Sequence, residues 1–449
     1  MKEKLNFRQY LTIASMLFGL FFGAGNLIFP ALMGQMAGRN VWPAIAGFLI
    51  TGVGLPLLGV IALGNSRCSG LTEMSQRIGR RYGVFFTCAL YLTIGPFFAI
   101  PRCATVPFAV GIDPLLSQGS GSAVPLAVFS LVFFGIVLYF SLRPGEILTW
   151  VGKVLNPLFL IFLGVLMLTA LCRPAGNVSS IIPEAGYSSG AFFNGFLEGY
   201  NTMDALAGLA FGIIVVNVIR GLGVKQPGNV ARCTVKAGVL SSLIMAAIYP
   251  IVTIAGTQSR GLSPLCDNGG EVLTFIARHY YGTAGAVILA LTVTFACLKT
   301  SIGLITSCSE TFVLLFPGKL SYRGWAAAFS FLSFLIANLG LDLIIRYSLP
   351  VLMLLYPLAI TLILLCLFGR IFGNARCVYA SVTVFTFAAA LLDFIAALPE
   401  QLQSLLHTGF LISAARQWLP LFDLGLGWLL PAILGLFTGL IINRRKQVS

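Results

Sequence analysis

The feature that most restricts the fold of this chain is a series of apolar runs, each about as long as a lipid bilayer is thick. A bilayer interior is crossed only by helices and closed barrels, because every backbone polar group there must find a partner within the protein. About twenty apolar residues suffice for one helical crossing, and the sequence has roughly twelve such runs. They lie near residues 10–36, 42–64, 83–110, 123–141, 147–171, 191–219, 235–256, 283–308, 324–341, 343–369, 377–397 and 421–442. The connections are short, so the sequence predicts an all-α integral membrane protein embedded in the lipid bilayer, without a separate soluble domain.

The net charge of +14 reflects how basic residues are divided between the two sides of the membrane. If the amino terminus lies inside and each run reverses direction, most Lys and Arg residues fall on the inner side, including Lys2, Lys4 and Arg67. The outer connections contain only Arg39, Arg173, Arg260, Arg278 and Arg416. This bias is typical of cytoplasmic loops. It predicts a multi-pass protein of the cytoplasmic (inner) membrane with both termini in the cytoplasm, and it argues against a nucleic-acid partner.

The sequence offers little for catalysis or cofactor binding. It contains two histidines, His279 and His407, and its ten cysteines include no C-x-x-C pair. It also lacks the G-x-x-x-x-G-K-[ST] sequence that cradles the phosphates of ATP. We therefore expect no enzyme activity, no ATP binding, no cofactor and no metal centre other than a site for Na⁺. Any uphill transport would have to use an ion gradient.

The first apolar run is interrupted near its middle by Gly23-Ala24-Gly25-Asn26. Irregular backbone at bilayer depth persists only where it lines a cavity enclosed by protein. Close helix packing is the alternative, since Gly19 and Gly23 form a G-x-x-x-G pair. Asn26 and Pro30 favour unwinding, because proline suits the first turn of a renewed helix.

An unwound segment at this position would create two kinds of binding group. A half-helix that begins near Leu27 would direct unpaired N–H groups and its positive dipole end at the middle of the membrane, where a substrate carboxylate fits. The carbonyl groups of Gly19 to Phe22 would be free to coordinate a cation.

The run over residues 191–219 contains a second interruption, Gly199-Tyr200-Asn201-Thr202-Met203-Asp204, which follows Glu198. Ionisable side chains at bilayer depth are costly and usually functional. A polar residue of this stretch would also serve as the N-cap of a helix that restarts at Ala205, and Glu198 would alternatively lie solvated near the outer surface. Two broken spans at corresponding positions in two halves of a membrane protein indicate the substrate site of a secondary transporter.

Three motifs resemble those of a known family: GAGNLIFP at residues 23–30, GPFFAIPR at 95–102 and EGYNTMDAL at 198–206. The chain resembles the branched-chain amino acid:cation symporter family (LIVCS, BrnQ-type), which shares the LeuT-like fold, and the resemblance covers essentially the whole sequence. It implies two inverted repeats of five spans, within residues 1–172 and 191–369, with broken helices 1 and 6 and two peripheral spans within residues 377–442. It also implies leucine, isoleucine and valine as substrates, coupled to sodium or protons.

The two interruptions and the resemblance give two sets of predicted site residues. The substrate set consists of Phe22, Gly23, Ala24, Gly25, Phe98, Glu198, Tyr200 and Asn201. The cation set consists of Gly19, Phe22, Asn26, Asp204, Lys299, Thr300 and Ser301. The resemblance implies that Thr300 and Ser301 of the eighth span face the first interruption, and helix packing is their alternative role.

Two basic residues within the spans have more than one interpretation. Lys299 departs from the family pattern, in which a neutral residue is usual. Its ammonium either faces the carbonyl groups near Gly19 to Phe22 and takes the place of a bound cation, or points away and reaches the inner interface. Arg102 lies beside the predicted site, and its partner is either the substrate or Glu198.

The sequence thus predicts a secondary active transporter, a symporter that works by alternating access with its site between spans 1, 3, 6 and 8. A competing hypothesis is a membrane receptor or channel that binds a small zwitterion without moving it uphill. The preferred amino acid, the coupling ion and the oligomeric state are left open by the sequence.

Overall fold

The computed structural model describes residues 5–66, 68, 70–113 and 123–448. All regular secondary structure within these ranges is helical. Of the basic residues assigned above to the inner side, Lys2, Lys4 and Arg67 lie outside the described residues.

The first half of the described chain forms α-helices that are joined in three places by π-helical turns. The helices are α1 (Phe7–Phe21), α2 (Gly25–Ala37), α3 (Val41–Leu49), α4 (Leu55–Ser66), α5 (Leu71–Ser75), α6 (Arg80–Leu92), α7 (Ala99–Gly111), α8 (Ala123–Ser141) and α9 (Asn156–Cys172). The π-helical turns are Ile50–Gly54 before α4, Thr93–Phe97 before α7 and Leu148–Leu155 before α9.

The second half contains the longest helices of the molecule. The helices are α10 (Ala185–Asn201), α11 (Asp204–Ala210), α12 (Gly212–Gly221), α13 (Pro227–Gln258), α14 (Gly269–Leu315), α15 (Tyr322–Ala337), α16 (Leu341–Phe368), α17 (Arg376–Ala396), α18 (Glu400–Leu405), α19 (Gly409–Trp418) and α20 (Leu429–Val448). Within α14 the chain bends at Gly282, whose φ of 56° suits a residue without a Cβ atom.

By length and composition, eight helical stretches of the described residues are able to cross a bilayer, and the pair α11 and α12, bent by 42°, adds a ninth. The prediction of about twelve spans is not tested by this count. The stretch Gly25–Ser66 joins parts of two predicted spans into one continuous element, and α15 is only 16 residues long. The number twelve therefore stays a prediction.

The helices that carry the two interruptions pack against helices from the opposite half of the chain. Both α1 and α2 contact α13, whereas α10 contacts α3 and α11 contacts α4. A Cβ atom added at Gly34 of α2 would lie 2.0 Å from the Thr253 carbonyl oxygen, and one added at Gly195 of α10 would lie 2.0 Å from that of Ala44. Glycine therefore lets the backbones approach closely, as in other membrane helix pairs.

The first interruption is a true break between α1 and α2. Phe22 leaves the helical conformation with φ −76° and ψ 85°, and the Gly23 N–H donates to the Asn26 Oδ1 at 3.0 Å. The expected restart near Leu27 is wrong by two residues, since α2 begins at Gly25. The Leu27 N–H already donates to the Ala24 carbonyl at 3.1 Å, so Pro30 lies in the second turn rather than the first.

The second interruption is shorter than the sequence suggested. Residues 199–201 remain in the last turn of α10, and only Thr202 and Met203 separate it from α11. Met203 adopts the left-handed conformation with φ 64°. The helix restarts at Asp204, one residue before the predicted Ala205, and its N-cap position is Met203 without a capping side chain. The Asp204 N–H instead donates to the Thr202 Oγ1 at 3.4 Å.

Candidate functional site

A small cavity lies where the two breaks meet α7 and α14. Its volume is about 20 Å³, room for roughly one water molecule. The lining residues are Leu20, Phe21, Gly23, Ala24, Gly25, Asn26, Ile94, Ala99, Arg102, Cys103, Thr202, Met203, Asp204, Ala207, Phe211, Thr300 and Leu304. The cavity thus combines unwound backbone, one basic and one acidic side chain, and a largely apolar wall.

A buried hydrogen-bonded triangle joins the two breaks. The Asn26 Nδ2 donates to the Asp204 Oδ2 at 2.5 Å and to the Tyr249 hydroxyl at 2.5 Å. The Tyr249 hydroxyl in turn donates to the same Asp204 Oδ2 at 3.0 Å. All three side chains are buried. Asn26 and Asp204 were both predicted as cation-site residues, and the structure places them in direct contact, 178 positions apart in the chain.

Tyr249 is a site residue that the sequence analysis did not identify. It lies in α13, and its ring stacks on the Phe22 ring with centroids 5.5 Å apart. A tyrosine within an apolar run, next to Pro250, is a weak signal. A buried tyrosine hydroxyl generally finds a hydrogen-bond partner, and here both of its partners belong to the breaks.

Arg102 connects α7 to both breaks. Its Nη1 donates to the Asn201 carbonyl at 2.9 Å, and its guanidinium lies over the Phe29 ring, 5.2 Å from the centroid. A Cβ atom added at Gly25 would lie 2.9 Å from the Arg102 Nη2, so glycine makes room for the guanidinium. The structure shows no ion pair between Arg102 and Glu198, which was one of its two suggested partners.

Several predicted substrate residues lie outside the cavity lining. Glu198 is half-buried, and its Oε2 accepts a hydrogen bond from the Asn201 Nδ2 at 3.1 Å. Tyr200 is stacked on Tyr356 with centroids 4.0 Å apart. Phe98 is half-buried and packs edge-on against a neighbouring ring. Their predicted roles in binding stay predictions.

Thr300 and Ser301, which were expected to act together, occupy different surroundings. The Thr300 Oγ1 lies 3.4 Å from the Gly19 carbonyl and would lie 3.1 Å from a Cβ atom added at Gly23. It therefore faces the first break. Ser301 does not line the cavity, and its buried hydroxyl lacks a hydrogen-bond partner among the described residues. Consecutive side chains of a helix point about 100° apart.

Lys299 fits neither of the two interpretations offered by the sequence. It is 0% exposed, so it does not reach the inner interface. Its Nζ donates to the Asn156 Oδ1 at 3.0 Å and lies 3.6 Å from the centroid of the Phe159 ring. The rings of Phe18 and Phe22 are 5.0 and 5.8 Å away. Lys299 thus occupies an aromatic cage between α1, α9 and α14, next to the break rather than at its carbonyl groups.

The chain matches known proteins over nearly its whole length. Residues 6–446 match the family model described as branched-chain amino acid transport protein. The chain is 56% identical over 431 residues to the branched-chain amino acid permease BrnQ of Lactobacillus delbrueckii subsp. lactis, with 96% of each protein covered. It is 42% identical over 443 residues to the permease BrnQ of Bacillus subtilis, with 99% of this chain and 98% of the relative covered.

A solved structure has a similar fold. It is that of Mhp1, a nucleobase-cation-symport-1 family transporter, in a closed conformation with bromovinylhydantoin bound. The TM-score is 0.61 at 13% identity, with 97% of this chain and 92% of the other covered. At this identity the likeness shows the fold alone, and it confirms the predicted all-α fold of the LeuT type. The boundaries of the two repeats remain predictions.

Proposed function

Since the chain belongs to the family of branched-chain amino acid transport proteins, we propose that it carries leucine, isoleucine and valine across a bacterial cytoplasmic membrane. It is a multi-pass membrane transport protein and not an enzyme. The proposal further holds that it is a symporter, that transport proceeds by alternating access, and that both termini face the cytoplasm. The relatives described above are branched-chain amino acid permeases, which supports the choice of substrate.

The observation that carries the proposal is the small cavity at the two helix breaks. Transporters of this architecture place substrates at the middle of the membrane, where half-helix ends and unwound backbone face a cavity. The cavity wall includes Phe21, Ile94, Phe211 and Leu304, which offer apolar surface to a branched side chain. Because the cavity has room for only about one water molecule, substrate entry requires its walls to separate.

The proposed coupling cation binds beside the first break. The Thr300 hydroxyl near the Gly19 carbonyl supports this position, since Gly19 lies in the last turn of α1 and the C-terminal ends of half-helices coordinate cations in such transporters. Lys299 supports the alternative of proton coupling. Proton coupling would require the Lys299 amine to take up and release a proton. While protonated, it would oppose a sodium ion nearby through Coulomb repulsion, and no further cofactor enters the proposal.

Leucine uptake by purified protein in proteoliposomes tests the proposal. We expect leucine to accumulate above equilibrium when either a sodium gradient or a proton gradient is imposed, and accumulation to vanish when an ionophore collapses that gradient. Isoleucine and valine should compete well. Leucine has three more carbon atoms than alanine, worth about 2.4 kcal/mol in an apolar pocket, so alanine should compete more than tenfold less strongly. Binding of leucine without accumulation would instead indicate a receptor or channel.

A further inference from the structure

Two buried ionisable side chains, the basic Arg102 on α7 and the acidic Asp204 on α11, line the same cavity. On the premise of the proposed function, we infer that these two side chains recognise the substrate as a zwitterion: Arg102 binds its carboxylate and Asp204 binds its ammonium. Backbone groups at the helix breaks would then assist this recognition without providing the two charges that discriminate between amino acids and their uncharged or singly charged analogues.

The first step of the argument is that Arg102 lacks a carboxylate partner. Within the described residues, ion pairs within 4.0 Å join Arg260 to Glu184 and Arg416 to Asp423, and Arg102 takes part in neither. Arg102 is nevertheless only 4% exposed. Burying an unpaired charge is costly. One carbonyl and one aromatic ring are weaker partners for a guanidinium than a carboxylate, so the site suits an incoming anion.

The second step concerns the hydrogen-bond capacity of Arg102. A guanidinium has five N–H donors in a planar fork. One nitrogen, Nη1, is held by the Asn201 carbonyl, which fixes the orientation of the side chain. Nη2 lies beside Gly25 at the first break, where an added Cβ atom would come within 2.9 Å of it, and both residues line the cavity. A carboxylate at the amino-terminal end of α2 would therefore meet both guanidinium donors and the half-helix dipole.

The third step concerns Asp204. Asn26 and Tyr249 both donate to its Oδ2, and these bonds hold the carboxylate in place at the start of α11. Its Oδ1 retains acceptor capacity for another donor. An ammonium carries three donors and a positive charge, so it suits a fixed, buried carboxylate better than a neutral ligand does.

The fourth step is charge balance within the cavity. Arg102 and Asp204 interact electrostatically, yet their charged atoms are not within 4.0 Å of each other. No ion pair among the described residues therefore compensates either group directly. A zwitterion inserted between them gives each charge a direct partner and leaves the net charge of the site unchanged.

The experiment compares leucine with two analogues that each lack one charge. Binding to purified full-length protein is measured by displacement of labelled leucine with leucinol, which lacks the carboxylate, and 4-methylpentanoate, which lacks the ammonium. The variants are Arg102→Gln and Asp204→Asn. Controls are Arg346→Gln and Asp423→Asn, because Arg346 is exposed and bonded to Gln401, and Asp423 forms an exposed ion pair.

In wild type and both controls, leucine should bind at least about 30-fold more tightly than either analogue, since unpairing a buried charge is strongly unfavourable. Arg102→Gln should weaken leucine by about that factor while leaving leucinol nearly unchanged. Asp204→Asn should weaken leucine but not 4-methylpentanoate. The preference for leucine over leucinol is thus lost in Arg102→Gln, and the preference for leucine over 4-methylpentanoate is lost in Asp204→Asn.

A purely structural role for Arg102, such as holding the end of α10, would weaken leucine and leucinol by the same factor, and that result overturns the inference. If Arg102→Gln fails to fold, Arg102→Lys keeps the charge but loses the planar fork. Its leucine-to-leucinol ratio should fall about tenfold, and an unchanged ratio counts against the inference. Wild-type protein that binds no leucine at all contradicts the proposed function itself, whereas binding with equal affinity for leucinol contradicts this inference alone.

Discussion

At the first break, the glycines provide room for the neighbouring groups of the site. The absence of a Cβ atom at Gly23 leaves room for the Thr300 side chain, and its absence at Gly25 leaves room for the Arg102 guanidinium. The glycines of the second region serve helix packing instead, since a Cβ atom at Gly199 would lie 1.9 Å from the Thr51 Oγ1. The second break itself contains no glycine and depends on the left-handed conformation of Met203.

The two breaks therefore differ in which substitutions they tolerate. At the first break, an added side chain would meet the groups that line the cavity. At the second break, the left-handed conformation of Met203 costs about 1–3 kcal/mol, and the surrounding contacts must compensate for this cost. Asp204 and its two hydrogen-bond donors are the nearest of these contacts. At the first break, the available space therefore determines which substitutions are tolerated. At the second break, the buried hydrogen bonds of Asp204 determine it.

The largest effect is expected from Gly25→Leu. The added side chain would start 2.9 Å from the Arg102 Nη2 and 3.2 Å from the Phe29 ring, so both groups must shift. We expect leucine uptake to fall about 100-fold, as misplaced binding groups commonly cause, while membrane insertion is retained. The matched control is Gly164→Leu in α9, where an added Cβ meets nothing within 4 Å. Equal uptake by the two variants would refute the claim that space limits the first break.

A smaller effect is expected from Asp204→Ala, and a smaller one still from Asn26→Ala. Without Asp204, both the Asn26 amide and the Tyr249 hydroxyl lose their shared acceptor, at about 1–3 kcal/mol for an unsatisfied buried group. Without Asn26, the bond between Tyr249 and Asp204 persists. Thermal midpoints and uptake should therefore decrease more for Asp204→Ala. The opposite order would mean that the amide, rather than the carboxylate, organises the two breaks.

The smallest effect is expected from Tyr249→Phe. The substitution keeps the ring that stacks on Phe22 and removes two hydrogen bonds of the hydroxyl, the one donated to Asp204 and the one accepted from Asn26, each worth about 1 kcal/mol. Uptake should fall a few-fold, with a slightly lower thermal midpoint. Tyr82→Phe is the control, because the Tyr82 hydroxyl is buried without a hydrogen-bond partner among the described residues. A loss as large as that of Asp204→Ala would show that Tyr249, not the carboxylate, is the main link.

The sequence predicted the membrane fold and the existence of both breaks because apolar length and glycine, asparagine and proline placement are local signals. It misplaced Pro30 within the renewed helix because the restart depends on the Asn26 side chain, which bonds the Gly23 N–H. The sequence also did not predict the directions in which the side chains of Tyr200 and Lys299 point. One residue of register turns a helical side chain by about 100°.

The hydrogen-bond partners of Arg102 and Tyr249 could not be predicted from the sequence for a different reason. Arg102 and Asn201 are 99 positions apart in the chain, and Tyr249 and Asp204 are 45 positions apart. Such pairings follow from how α7 and α13 pack against the breaks, which hydrophobic pattern alone does not specify. Long-range packing, not local propensity, therefore completes the site.

The central claim is that the cavity between the two breaks is where substrate binds. Cys103 lines this cavity and is buried, whereas Cys172 at the end of α9 is exposed. In a variant that retains only these two cysteines, the rate at which a small thiol reagent labels each one is measured with and without leucine. The account predicts that leucine slows the labelling of Cys103 and leaves that of Cys172 unchanged. Labelling of Cys103 at the same rate with saturating leucine would contradict it.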